Sequence, residues 1–284
     1  MRADRSGLRC GANRSDLIAA RETNVDAWSD GEAYESYVGR WSRPVARQFV
    51  QSLAVAPGGR WLDVGCGTGA LSAAILDHAA PAELCGVDAS REYVDFASGW
   101  FNDGVATFEV ADAQELPFPD ARFEAAVTGL VLNFIPEPVR AVSELRRVVV
   151  HGGVVAAYVW DYAGEAQMLR RFWDAAVALD PAAAALDEGR RFPICNAGAL
   201  DRLFRSAGLT DVAVGAIDVD TTFREFDDYW SPFLRGQGPA PGYVASRSDE
   251  QREALREQLR ALLPVALDGS IPLIARALTV SGRT

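Results

Sequence analysis

The chain has 284 residues and a formal net charge of -11 at pH 7, and all 28 basic residues are arginine. Because so acidic a surface repels a phosphate backbone, nucleic acid is not an expected partner. Four scattered cysteines without a CxxC pair, together with only two histidines, argue against a metal site and against a disulfide framework.

The sequence contains no segment of the kind that crosses or enters a membrane. Its longest apolar stretch, residues 148–160, is interrupted by His151, Gly152 and Gly153, and a transmembrane helix needs roughly 20 apolar residues. The first residues carry arginines but no apolar segment of a secretory signal. We therefore expect a cytoplasmic protein with no membrane partner.

The chain is predicted to form one domain after a short extension. Residues 1–23 are polar and are expected to be flexible, so that residues 24–284 form the domain. Within it, residues 28–55 have a helical pattern in which Trp41, Val45 and Phe49 recur every three or four positions.

Residues 60–70, RWLDVGCGTGA, predict a buried strand that ends in a glycine-rich turn and then a helix. Glycine lacks a Cβ and tolerates positive φ, so Gly65, Gly67 and Gly69 allow a ligand to approach the backbone amides at the start of that helix. The same turn also satisfies the looser dinucleotide-binding pattern, with Asp88 about twenty residues further on.

The rest of the chain alternates between strand and helix patterns, which predicts a mainly parallel sheet. One predicted helix begins at Pro136 and Pro138 and ends at Gly152 and Gly153, with Val139, Val142, Leu145 and Val149 on a shared face. Insertions at residues 161–195 and 224–270 are expected to lie over the carboxyl end of the sheet, where open α/β folds bind ligands. Further strands are predicted at residues 83–87, 107–110, 124–128, 154–159, 212–219 and 273–280.

Four segments in order resemble the class I S-adenosylmethionine-dependent methyltransferases, in particular the ubiquinone and menaquinone biosynthesis C-methyltransferase group. They are LDVGCGTGA (62–70), GVDAS (86–90), ADAQELPF (111–118) and residues 123–153. The resemblance covers residues 34–208. It implies a Rossmann-like α/β sheet of seven strands with the last strand antiparallel, helical lid insertions, S-adenosylmethionine as cofactor and a small-molecule methyl acceptor.

The resemblance also implies roles for individual residues. Asp88 would accept both ribose hydroxyls, while Asp112 and the Ala113 amide would contact the adenine. Asp63 would orient the glycine turn or, through water, the amino group of the cofactor. The remaining implied cofactor residues are Gly65, Gly67 and Gly69 of the turn, Ala89 after Asp88, Thr128 and Gly129 on the methionine side, and Tyr37, Arg40 and Trp41 of the lid.

Methyl transfer depends mainly on orientation, because the leaving group departs neutral, and a general base is harder to name. Asp161 is the best-placed carboxylate for a base or substrate anchor, although it could instead cap the next helix. A substrate pocket is predicted from Trp160, Arg190, Arg191, Tyr229, Trp230, Phe233 and Gln237. The aromatic residues of this set could equally pack the insertions onto the sheet.

Two other functions share the glycine turn. A nicotinamide-dependent oxidoreductase would leave Asp112 unexplained, and the absence of lysine excludes a Tyr-x-x-x-Lys catalytic pair. A non-catalytic S-adenosylmethionine-binding protein is the second alternative. The sequence does not indicate whether oxygen, nitrogen or carbon is methylated, nor the oligomeric state.

Overall fold

A computed structural model describes residues 40–101, 104–235 and 238–284. Residues 1–39, which include Tyr37 and the first part of the predicted lid, lie outside the described residues. Gln237 lies in the second gap, and the side chain of Arg40 is likewise outside what the structure describes.

The described residues form one sheet of seven strands in the order β3-β2-β1-β4-β5-β7-β6. Neighbouring strands are parallel except for β7, which runs antiparallel to both β5 and β6. The predicted fold is therefore confirmed. The strands are β1 (Arg60–Val64), β2 (Glu83–Asp88), β3 (Ala106–Val110), β4 (Phe123–Gly129), β5 (Val149–Trp160), β6 (Thr210–Asp220) and β7 (Ile274–Arg283).

Helices connect the strands and also make up most of the two insertions. The sheet helices are α1 (Arg40–Ser52), α2 (Ala70–Ala79), α3 (Arg91–Trp100), α4 (Pro138–Val148) and α7 (Ala197–Ser206). The first insertion carries α5 (Gln167–Leu179) and α6 (Glu188–Arg191). The second carries α8 (Phe226–Trp230), α9 (Pro232–Arg235), α10 (Pro239–Ala245) and α11 (Asp249–Leu262). Short 3-10 turns lie at Leu132–Phe134 and Pro181–Ala185.

The central strands are buried on both faces, as expected for parallel strands covered by helices. In β1, Trp61, Leu62 and Val64 are buried, and so is the carboxylate of Asp63 between them. Local signals in the sequence set the helix starts. Ser90 caps α3 by accepting a hydrogen bond from the Tyr93 amide, and Ser248 forms a capping box with Gln251 at the start of α11.

The prediction for α4 is wrong in two respects. Val139 is 49% exposed, whereas the buried face of α4 consists of Ala141, Val142, Leu145 and Val148. Gly152 and Gly153 lie inside β5, because the chain passes directly from α4 into the strand at Val149, whose amide caps the helix by donating to the Arg146 carbonyl. No glycine is needed to end this helix.

The two insertions pack against each other and against the sheet. The rings of Phe172 in α5 and Phe233 in α9 stack with centroids 4.5 Å apart. The Gln167 side chain accepts a hydrogen bond of 2.9 Å from the Ile274 amide at the start of β7. Among the described helices, none is long and apolar enough to span a membrane.

Candidate cofactor and acceptor site

A cavity of about 480 Å³ lies at the carboxyl end of the sheet, within the usual size range of small-molecule sites. Its lining begins at Asp88, where β2 ends, and continues along the glycine turn after β1. It then passes Gly129 and Asn133 after β4 and reaches Trp160 and Glu188 beyond β5. Since β2 and β5 are three strand spacings apart, the cavity has two ends separated by roughly 14 Å.

The glycine turn forms the floor of the first end. Gly65 and Gly67 have φ values of +74° and +52°, which favour glycine. A Cβ on Gly65 would collide with the Val131 side chain, whereas a Cβ on Gly67 would meet no atom within 4 Å. Because Gly67 lines the cavity, that open space is available to a ligand lying against the backbone.

Asp88 lies at the same end and is held by backbone amides. Its Oδ2 accepts a hydrogen bond of 3.0 Å from the Gly67 amide, and its Oδ1 accepts one of 2.8 Å from the Ser90 amide. Burial raises the pKa of Asp88, and the hydrogen bonds from these amides oppose that shift. An ionised carboxylate has about four lone-pair sites, so each oxygen can accept a further hydrogen bond from a ligand.

Asp63 is a buried acid beneath the glycine turn. The Ser72 hydroxyl donates to its Oδ2 at 2.6 Å, while Oδ1 has no hydrogen-bond partner among the described residues. Burial raises the pKa of Asp63 to about 7, and the nearby Asp88 charge acts in the same direction. Thr128, at the end of β4, also keeps a buried hydroxyl that has no partner in the described part of the chain.

Several predicted cofactor residues lie outside the cavity lining. Asp112 is exposed, and its Oδ1 accepts hydrogen bonds from the Gln114 amide at 2.8 Å and the Gln114 side chain at 3.1 Å, which lower its pKa. Trp41 is buried with its ring 5.5 Å from that of Phe223, and its neighbour Ser42 faces the cavity instead. Ala89, Ala113, Thr128 and Gly69 do not line the cavity either, whereas Gly65, Gly67, Asp88 and Gly129 do.

Of the predicted substrate residues that the structure describes, Trp160 alone lines the cavity. Tyr229, Trp230 and Phe233 are buried in the core, and the Tyr229 hydroxyl donates to the Met168 carbonyl at 2.9 Å. In this structure these rings pack the second insertion onto α5, which agrees with the alternative that they serve packing.

The two predicted arginines also lie outside the lining. The exposed Arg190 guanidinium is 3.8 Å from the Asp187 carboxylate. The Arg191 guanidinium lies over the Phe192 ring, 5.1 Å from its centroid.

Asp161 closes a turn and does not line the cavity. Its Oδ2 accepts a hydrogen bond of 3.0 Å from the Glu165 amide, and its carbonyl accepts bonds from the Gly164 and Ala166 amides. This arrangement agrees with the alternative, in which the Asp161 carboxylate caps the segment that leads into α5.

The lining carboxylate beyond β5 is Glu188, which the sequence analysis missed. Glu188 is only 5% exposed, and its Oε2 accepts a hydrogen bond from the Trp173 indole. Burial raises its pKa to about 7, an effect that Asp187 increases and Arg191 reduces. In the sequence it stands in the charged run LDEGRR, which is typical of a solvated surface, so no local pattern distinguishes it.

Comparison with known proteins identifies the family. The profile of the methyltransferase domain family matches residues 62–157. The chain is 31% identical over 181 residues to the ubiquinone/menaquinone biosynthesis C-methyltransferase UbiE of Desulfotalea psychrophila, a match that covers 58% of this chain and 72% of that protein. This chain belongs to the class I S-adenosylmethionine-dependent methyltransferases. Its enzyme class and cofactor, as predicted, are thereby confirmed, and the nicotinamide-dependent alternative is not favoured.

Other similarities agree with membership of these methyltransferases. The 2-methyl-6-phytyl-1,4-hydroquinone methyltransferase of Synechocystis sp. is 27% identical over 252 residues, which cover 80% of this chain and 77% of that protein. Among solved structures, Haemonchus contortus phosphoethanolamine N-methyltransferase 2 in complex with S-adenosyl-L-methionine has a TM-score of 0.54 at 17% identity, covering 89% of this chain and 56% of that chain. The YcgJ protein of Bacillus subtilis has a TM-score of 0.52 at 18% identity, covering 86% and 99%. The last two similarities show the fold.

The residues of the first end fit S-adenosylmethionine. The open space above Gly67 accepts a ligand against the backbone, and Asp88 retains acceptor sites on both oxygens. Asp63 lies outside the cavity lining, and its buried Oδ1 is an acceptor that no described residue satisfies, a position that an ordered water can fill.

Proposed function

We propose that this methyltransferase acts on a small-molecule acceptor that binds in the second end of the cavity, beside the cofactor. The observation that carries this proposal is the continuity of the cavity, in which Asp88 and the glycine turn at one end share a single space with aromatic side chains at the other. Donor and acceptor would then meet in one enclosed site.

The cofactor would bind at the first end. Asp88 would accept the ribose hydroxyls, and charge-assisted hydrogen bonds of this kind contribute about 1.5–3 kcal/mol. Gly67 would leave the backbone open to the cofactor. Gly129, after β4, would lie on the methionine side, with Thr128 beneath it.

The second end is suited to a flat apolar ring. Phe134, Trp160, Tyr162 and Phe192 line it, and the Phe134 and Phe192 rings are in edge-to-face contact at 5.3 Å. Aromatic walls bind flat rings through offset and edge contacts. The names of two relatives, a hydroquinone methyltransferase and a ubiquinone/menaquinone biosynthesis C-methyltransferase, support an acceptor of this kind.

The protein contributes orientation to the reaction. The cofactor supplies a methyl group on a sulfonium, which is displaced in line and leaves a neutral thioether. Holding two reactants in attack geometry can lower a barrier by about 7–11 kcal/mol. The described side chains would provide this by fixing the ribose at one end and the acceptor ring at the other.

Thermal unfolding with saturating S-adenosylhomocysteine, and in parallel with NADH, tests the cofactor site. A ligand at about 100 times its dissociation constant adds about 2.7 kcal/mol of stability, which raises the midpoint by several degrees for a domain of this size. We expect a shift with S-adenosylhomocysteine alone. A shift with NADH alone would contradict the proposed use of the glycine turn.

A further inference from the structure

Glu188 lies at the opposite end of the cavity from the ribose-binding residues. Asp88 follows β2, whereas Glu188 belongs to the insertion after β5, and these strands are three spacings, roughly 14 Å, apart. Glu188 nevertheless lines the same cavity, next to Phe192 and Leu169. A carboxylate in this position faces the acceptor and not the ribose.

Asp187, the neighbour of Glu188, anchors this segment to α5. The Asp187 side chain caps α6 through the Gly189 amide and accepts two hydrogen bonds, of 3.1 and 2.9 Å, from the Arg170 guanidinium of α5. Glu188 itself receives the Trp173 indole hydrogen bond on Oε2. The Glu188 backbone amide also donates to this carboxylate. A carboxylate has about four lone-pair sites, so Oε1 can still accept a hydrogen bond from a ligand.

A second polar group lines the same wall. Asn133 follows β4, lines the cavity and carries a buried Nδ2 without a hydrogen-bond partner in the described residues. The contact between the Phe134 and Phe192 rings joins its turn to the end of α6. Glu188 and Asn133 thus add a hydrogen-bond acceptor and a donor to the aromatic walls of the acceptor end.

The charges favour a hydroxyl over an ammonium group at this position. Arg191, one turn along from Asp187, has its guanidinium over the Phe192 ring, 5.1 Å from the centroid. It also acts electrostatically on Glu188. A second cation beside Phe192 would be repelled by this guanidinium.

We propose that Glu188 binds an aromatic hydroxyl of the acceptor through Oε1 and takes up its proton during methyl transfer, a role that rests on the proposed function above. The O–H bond breaks, the proton moves to Glu188, and the electron pair stays on the acceptor. The acceptor then forms its bond to the methyl carbon as the carbon–sulfur bond breaks with its electrons going to sulfur. Glu188 afterwards releases the proton to water.

The ionisation of Glu188 suits this role. A general base works best with a pKa near the operating pH, and burial raises the pKa of Glu188 to about 7. Asp187 and Arg191 act on it with opposite signs, and Arg170 in α5 is paired with Asp187. Tyr162 lines the cavity beside it.

The test measures binding of two matched probes, 2-naphthol and 2-methoxynaphthalene, by fluorescence with S-adenosylhomocysteine present. At pH 8 we expect the wild type to bind the naphthol at least about tenfold more tightly, because a hydrogen bond to a charged group has this value. Glu188→Gln should reduce the preference to about threefold or less. Glu165→Gln, a carboxylate of the same insertion outside the cavity lining, is the control and should keep it.

A pH series on the wild type needs no variant. The naphthol preference should decline as the pH falls through about 7, because Glu188 gains a proton, whereas the neutral probes do not titrate in this range. Equal preference in the wild type and Glu188→Gln, a flat pH series, or no probe binding while S-adenosylhomocysteine binds would overturn the role of Glu188 alone. Failure of the wild type to bind S-adenosylhomocysteine would overturn the proposed function itself.

Discussion

The two ends of the cavity are built in different ways. The end formed by Gly65, Gly67 and Asp88 comes from strand ends and one turn within a short stretch of chain, and much of it is backbone. The end formed by Asn133 and Glu188 comes from side chains of separate segments that only the folded insertion brings together. A family can therefore keep the first end while changing the second, which is where acceptor choice would lie.

Truncation of Phe233 should cause the largest loss of stability among these variants. It tests whether the second insertion supports the acceptor end from behind or lines it. Phe233 is 1% exposed and stacks on Phe172. Phe233→Ala should lower the free energy of unfolding by about 3–5 kcal/mol, measured by urea denaturation. The adjacent Leu234 is 56% exposed, so Leu234→Ala should change stability by less than about 0.5 kcal/mol. Unchanged stability in Phe233→Ala, with weaker naphthol binding, would restore Phe233 to the substrate pocket.

Two buried acids, Asp63 beneath the glycine turn and Glu188 in the cavity lining, make stability depend on pH. The folded-state pKa values of Asp63 and Glu188 are raised to about 7 from 3.8 and 4.5. Between about pH 4 and 7 the unfolded chain therefore binds fewer protons than the folded protein at these sites. The stability that the two protonated groups contribute is fully present below their unfolded-state pKa values of 3.8 and 4.5. It is lost as the pH rises through their folded-state pKa values of about 7.

Asp63→Asn should remove one of these contributions, which is on the order of 4 kcal/mol across the window. Urea denaturation between pH 4 and 8 should show a flatter decline for Asp63→Asn than for the wild type, and Glu188→Gln should flatten it independently. If a variant loses stability with rising pH as steeply as the wild type does, the replaced acid is already ionised at low pH in the folded wild-type protein.

The difference between the two ends also explains what the sequence could predict. The mainly parallel sheet, the glycine turn and the position of Asp88 follow from hydrophobic runs and from spacing along the chain, and the resemblance to the methyltransferases implied the seven-strand arrangement. Glu188 carries no such signal, because its burial depends on Trp173 and on the pairing of Arg170 with Asp187. Tyr229 shows the opposite difficulty: an aromatic residue near a binding region suggests either a pocket or packing, and only the fold shows that here the ring is buried against α5.

Alanine substitutions of Gly65 and Gly67 separate the effect on stability from the effect on ligand binding at the cofactor end. Both glycines have positive φ, which costs about 1–2 kcal/mol for alanine. Gly65→Ala adds a collision with Val131 and should lose about 3 kcal/mol of stability in total. Gly67→Ala has open space for its Cβ, so it should lose only about 1 kcal/mol while weakening S-adenosylhomocysteine binding. Calorimetric titration and urea denaturation of both variants distinguish the two effects, and unaltered affinity in Gly67→Ala would contradict a ligand lying against this amide.

Asp88 and Asp112 give the smallest but most direct comparison, since both were predicted to bind the cofactor and only Asp88 lines the cavity. Asp88→Ala should reduce S-adenosylhomocysteine affinity by about 10- to 150-fold, the value of 1.5–3 kcal/mol for lost bonds to a charged acceptor. Asp112 is exposed and already accepts hydrogen bonds from Gln114, so Asp112→Ala should cost less than about tenfold. Calorimetric titration measures both. A larger loss for Asp112→Ala would mean that Gln114 gives up this carboxylate when the cofactor binds, and the adenine end of the site would then be formed by the ligand and not beforehand.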